Sequence, residues 1–215
     1  MAMTKNLESA DETTGPNIGG DGRFDHVSIA LHWLTVLLII IQFASVWVLD
    51  AAGDKSALGA ALLSLHMTSG VLTWFVVVAR LVWRHNFAYL PPFPPSMPKF
   101  QQTIAKANEY GLYLLLLTQP LTGLGRVLLR GRPFDLFFWQ VSALFEENDS
   151  IRHILAETHE FGAKALLALI GLHAGAALFH YLILRDGVLQ RMLPLRLART
   201  SLTPVLVSDE KTQAS

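Results

Sequence analysis

Five histidines of this sequence lie inside long apolar runs: His32, His66, His159, His173 and His180. Three others, His26, His85 and His153, fall near the ends of such runs. A neutral imidazole is a good transition-metal ligand and carries one hydrogen-bond donor and one acceptor in the same ring. In an apolar environment it is costly without a partner, so such a side chain faces another polar group or a bound one. A lone histidine of this kind is readily explained by a hydrogen bond between helices, but five in one short chain point to ligand chemistry. The chain contains no cysteine. Disulfides, thiolate metal sites, iron–sulfur ligation and covalent attachment of a group through cysteine are therefore excluded.

The surroundings of these histidines follow from composition. Of 215 residues, 52% are hydrophobic and only 16% charged, against about a quarter charged in a soluble domain. Net charge is zero, so nothing favours nucleic acid as a partner. A helix needs about 20 apolar residues to cross a bilayer. Four stretches qualify, at about 27–49, 58–83, 109–129 and 152–184. Backbone groups in lipid must be satisfied internally, so these stretches are predicted as helices. The last exceeds the bilayer thickness and must tilt or project. The expectation is an all-α integral membrane four-helix bundle over residues 23–195, between a disordered polar tail at 1–22 and a polar tail at 196–215. The first tail is acidic and lacks a basic start before an apolar run, so it does not read as a signal peptide.

Residues 90–98 hold five prolines and cannot be helical. Pro120 falls inside the third run and is expected to kink it. Residues 131–150 form a longer connection rich in aromatics (Phe134, Phe137, Phe138, Trp139) and acids. Lysine and arginine counts set orientation. One side carries Lys5, Arg23, Arg80, Arg84, Lys99, Lys106, Arg185, Arg191, Arg196, Arg199 and Lys211. The other carries Lys55, Arg126, Arg130, Arg132 and Arg152. Both termini are therefore expected to be cytoplasmic.

Depth sorts the histidines into levels. His159 and His66 each lie seven or eight residues in from the outer ends of the fourth and second runs, and His32 lies near the inner end of the first. His173 follows His159 by fourteen residues, about 21 Å along a helix and almost four full turns. The fourth helix thus offers one ligand per leaflet on a single face: His159 opposite His66, and His173 opposite His32. Two haems, each held by a histidine pair, satisfy this pattern. Zinc would need more ligands at one level, and a proton relay would not require matched pairs. His180, seven residues past His173 on the same face, is the alternative inner ligand. His173 is preferred because its level suits His32 and because Gly171, Ala174 and Gly175 leave room for a macrocycle. His180 would then stand near the haem edge or a quinone head group. Gly70 either makes space beside the outer ring or permits close helix packing.

These features together resemble the bacterial cytochrome b561 family. The matching pieces are His32-Trp33, Leu65-His66 with Gly70, Arg80-Leu81-Val82-Trp83-Arg84, His159-Glu160, Gly171-Leu172-His173, and Arg185-Asp186-Gly187 leading to Arg191-Met192-Leu193-Pro194. The resemblance spans about residues 23–195. It implies a four-helix bundle in a bacterial inner membrane, with two b haems on His32, His66, His159 and His173; a family member of similar layout carries electrons from superoxide outside to membrane ubiquinone.

The residues add support for an anionic donor. Arg126, Arg130, Arg132 and Arg152 form an outer basic cluster that runs against the positive-inside trend. Such a cluster steers small anions, and can equally hold haem propionates or lipid phosphates. Lys164, about five residues below His159, is expected inside the membrane near a propionate or a quinone oxygen. Arg80 and Arg84 read as anchors at the inner interface. Three functions compete: a superoxide:quinone oxidoreductase, a quinone-linked cytochrome subunit with a partner dehydrogenase, and a haem-free membrane scaffold or carrier.

Overall fold

In a computed structural model of the chain, residues 22–52, 56–137 and 139–194 are described. The expectations for the two polar tails, and for Lys55 and Phe138, lie outside the described residues. The apolar runs fold as four helices: α1 (His26–Ala52), α2 (Ala57–Asn86), α3 (Lys99–Leu128) and α4 (Asp149–Phe179). Local signals set their starts. Asp25 accepts from the Ser28 amide at 2.9 Å, Ser56 from the Gly59 amide at 2.9 Å, and Asn148 from the Ile151 amide at 3.1 Å. Each side-chain oxygen satisfies one of the amides that a helix start leaves unpaired. The proline-rich segment stays non-helical, and Pro98 immediately precedes α3.

Helix α3 starts ten residues before the apolar stretch that marks it in the sequence. Its first turns, Lys99 to Asn108, are polar but built largely of good helix formers, so the helix outruns the apolar signal. By length and composition α1, α2 and α4 are long and apolar enough to cross a membrane. Among the described residues α3 does not join them, since polar residues fill its first turns and Arg126 its last. Helix α4 runs on into a π-helical turn (His180–Leu184), and a 3-10 turn follows at Leu189–Arg191. The molecule is also not wholly helical. The 131–150 connection contains a short antiparallel hairpin, β1 (Phe134–Leu136) and β2 (Trp139–Val141), in a stretch whose aromatics favour strand.

Helix α1 packs along α2 and α3 along α4, and the two pairs join through α2 and α3. Val77, Tyr113, Leu116 and Leu166 form the buried centre, with Ile39, Phe43 and Ile170 against it. Most other large apolar side chains point outward, among them Ile40, Phe75, Leu114 and Phe161. That outward apolar surface suits lipid as the solvent.

The two ends of the bundle differ. At one end, residues from both extremes of the domain are tied together. The Phe24 amide donates to the Arg191 carbonyl at 3.3 Å, and the Arg23 guanidinium to the Leu193 carbonyl. Trp33 Nε1 donates to the Met192 carbonyl at 2.9 Å, and Arg191 to the Pro92 carbonyl at 2.6 Å. We call this the clasp end. At the opposite end the β-hairpin lies on α2, where the Phe137 amide donates to Thr68 Oγ1 at 2.9 Å. A two-stranded ribbon is marginal in isolation, and this bond, two residues from His66, anchors it.

Candidate functional site

Two histidine pairs sit between the helices, one per level. His32 on α1 and His173 on α4 face each other near the clasp end, with ring centres 6.2 Å apart and ring planes at 57°. His66 on α2 and His159 on α4 do so near the hairpin end, also at 6.2 Å, with planes at 85°. An imidazole nitrogen binds a transition metal at about 2 Å, and the ring centre lies about 1 Å behind it, so two rings on opposite sides of one metal stand about 6 Å apart. Both pairs have that spacing.

The hairpin-end rings are oriented by their other nitrogens. His66 Nδ1 lies 3.2 Å from the Gln42 carbonyl and 3.3 Å from Ser45 Oγ. His159 Nδ1 lies 3.1 Å from the Gln119 carbonyl and 3.1 Å from Thr122 Oγ1. A carbonyl only accepts, so these contacts assign the proton to Nδ1 and leave Nε2 with its lone pair for a metal. Gln42 is itself fixed by donating to the His66 carbonyl and Ser69 Oγ, both at 3.1 Å. None of these four supporting residues was identified from the sequence. The available signal was a polar residue in an apolar run, clearest for Gln42 and for Gln119 beside Pro120.

Glycines let the groups approach. A Cβ on Gly70 would meet Gln42 Nε2 at 3.0 Å, so Gly70 admits the supporting amide rather than a ring. Gly162 similarly makes way for Gln119. A Cβ on Gly171 or Gly175, flanking His173, would meet nothing within 4 Å. The clasp-end pair lacks the hydrogen bonding of the other, since His32 Nδ1 is buried without a partner.

Two expected residues stand elsewhere. Lys164 points away from both pairs, 73% exposed, and joins Glu160 one turn earlier at 2.7 Å. The i,i+4 pairing on the outer face of α4 removes it from any pocket beside His159. His180 falls in the π-turn and bonds Asp186 Oδ2 through Nδ1 at 2.5 Å, while His173 is the ring that meets His32.

The expected arginines gather at the hairpin end. Arg130 has Arg126, Arg152 and Arg132 around it, and burial together with these like charges pulls its guanidinium below the ordinary arginine range. It nevertheless remains a cation. Arg152 is partly neutralised by a hydrogen-bonded ion pair with Asp149. Arg126 is near enough to His159 to act on it electrostatically.

The donor set limits the groups it could hold. Among the described residues no three His, Asp or Glu side chains converge on one point. A bare ion that needs three or four protein ligands is therefore poorly served. An iron carried by a porphyrin could be held by two imidazoles. Two opposed imidazoles, glycine-lined space beside His173 and an apolar surround fit that group.

The family model for prokaryotic cytochrome b561 matches residues 23–195. Cytochrome b561 homolog 1 of Escherichia coli (strain K12) is 30% identical over 174 residues, 81% of this chain and 98% of the relative. The probable superoxide oxidase CybB of Yersinia pestis is 27% identical over 175 residues, 80% of this chain and 96% of the relative. Cytochrome b561 homolog 2 of Escherichia coli (strain K12) is 29% identical over 179 residues, 80% of this chain and 91% of the relative.

Proposed function

The chain belongs to the prokaryotic cytochrome b561 family, whose members are membrane electron carriers that bind haem b, and from that premise we propose that it is a di-haem superoxide:ubiquinone oxidoreductase. The observation that carries this reading is the pair of equal histidine separations at two levels of one bundle. All four helices cross the bilayer, α3 included, and the domain extends over residues 23–195. The hairpin end faces outward and both termini face the cytoplasm.

His66 and His159 would hold the outer haem, and His32 and His173 the inner one. When bound, the haems supply reversible one-electron chemistry. The chain supplies everything else. The Gln42 and Gln119 carbonyls fix the outer imidazoles in the tautomer that ligates, and raise their basicity. Arg126, Arg130 and Arg132 draw a small anion to the outer end. A basic cleft of this kind raises association rates by about one to three orders of magnitude. Fourteen residues of α4 carry the path across about 21 Å of bilayer. In balance, two superoxide anions lose one electron each to give two O2. One ubiquinone gains the two electrons and two protons from water to give ubiquinol. The relative in Yersinia pestis described as a probable superoxide oxidase supports the choice of donor.

The test is stopped-flow absorbance on the oxidised protein after a superoxide pulse, with and without ubiquinone. Rapid reduction of a b-type spectrum, abolished by superoxide dismutase and reversed by quinone, is the expected result. A haem spectrum that ignores superoxide but responds to quinol would replace this reading with that of a cytochrome subunit serving a dehydrogenase. A colourless protein would remove both.

A further inference from the structure

Arg80 lies within the apolar span of α2, at the level of the clasp-end pair, and its charge acts on both His32 and His173. Its guanidinium stands over the Tyr113 ring, 5.5 Å from the centre. One helical turn away, Arg84 has its own counterion, Glu109 Oε1 at 3.0 Å. Arg80 makes no ion pair and no hydrogen bond among the described residues. A cation in a membrane span is expensive unless an anion or an aromatic face lies against it. The ring of Tyr113 covers one face of the guanidinium and leaves its N–H edges unused. The Tyr113 hydroxyl is also buried and without a partner. A guanidinium that acts on the His32–His173 pair and the phenol it stacks on, both lacking acceptors, are the donor set for a carboxylate.

We propose that Arg80 and Tyr113 form a carboxylate site beside the His32–His173 pair, and that its occupant is a propionate of the haem those histidines hold. This rests on the two-haem reading above. The planar fork of arginine matches a carboxylate with two parallel bonds, which lysine cannot reproduce. A fixed positive charge at this point also favours the reduced haem, so Arg80 raises the potential of the inner centre relative to its own absence.

The test compares wild type, Arg80→Leu and Arg80→Lys for haem per chain and for the two midpoint potentials in redox titration. Apoprotein is also reconstituted with iron protoporphyrin or with its dimethyl ester, which has no carboxylates. In Arg80→Leu one centre is lost or its potential falls, while the other is unmoved, and Arg80→Lys lies between. Wild type takes the free acid at the inner centre in preference to the ester, and Arg80→Leu takes both alike. Unchanged haem content and potentials in Arg80→Leu would overturn the proposal. So would equal uptake of acid and ester by wild type, which needs no variant to fold and would point instead to a lipid phosphate at Arg80. A wild-type protein with fewer than two haems would overturn the two-haem reading itself, which is a distinguishable failure.

Discussion

Gly123 on α3 lies against the imidazole of His159 on α4: a Cβ at position 123 would stand 3.0 Å from Cε1 and 3.3 Å from Nδ1 of that ring. The same ring is held by the Gln119 carbonyl one turn earlier on α3. Both contacts come from α3, and together they fix the direction in which His159 points. Gly123→Leu is expected to displace the ring and remove about half of the bound haem, while Gly123→Ala retains it with a shifted outer midpoint. Haem-to-protein ratio and redox titration read both outcomes. Full haem content with an unshifted potential in Gly123→Leu would show that this contact does not position the ligand.

The arginine cluster makes a prediction about rates and salt. Arg130 stands among three other cations, whereas Arg152 is already bonded to Asp149. Arg130→Glu is expected to slow reduction by superoxide roughly tenfold or more at low ionic strength, with the difference shrinking as salt screens the field. Arg152→Gln should change the rate much less. Equal effects of the two substitutions would argue against a steering role centred on Arg130.

His173 on α4 and His180 in the π-turn that follows it should behave differently. His173→Ala removes a ring that faces His32 and, on the proposed two-haem reading, is expected to abolish one of the two haem spectra. His180→Ala breaks a bond to Asp186 at the end of the helix and should keep both. Absorbance and magnetic-resonance spectra of the two variants check this directly. Loss of a centre in His180→Ala alone would reverse the ligand assignment.

Asp25 links stability to pH at the clasp end. Burial alone would raise its pKa, but hydrogen bonds from the Ser28 hydroxyl, the Ser28 amide and Trp83 outweigh this and hold it below 3.8. A carboxyl group lowered in the folded state contributes stability that is complete above its unfolded value and lost as pH falls through its folded one. Asp25→Ala should cost about 1 kcal/mol near neutral pH as a lost helix cap. The gap to wild type should close as pH falls through the lowered folded value, where the native carboxylate is itself protonated. Denaturant unfolding in detergent at pH 7 and at low pH measures it, and a gap independent of pH would show that the charge is not involved.

Much of this was legible in the sequence because a bilayer imposes simple rules. Apolar length marked the three helices long enough to cross a membrane, and prolines at 91–98 marked the break before α3. The fourteen-residue step from His159 to His173 has one geometric meaning on a helix. Periodicity cannot say which helices are neighbours, so the two facing pairs needed the packing of α4 against the rest. Lys164 shows the limit most clearly. Depth placed it in the membrane, but which way it faces depends on the rotation of α4, and the packed helix turns it outward to Glu160. The supporting carbonyls of Gln42 and Gln119 were beyond the sequence for a different reason: any residue has a carbonyl, and only tertiary packing decides which one meets an imidazole. The sequence alone determined the solvent, the helices and the levels of the histidines, because these depend on composition and on one-dimensional spacing. The tertiary structure decided partners and orientations, because these depend on how each helix is rotated against its neighbours.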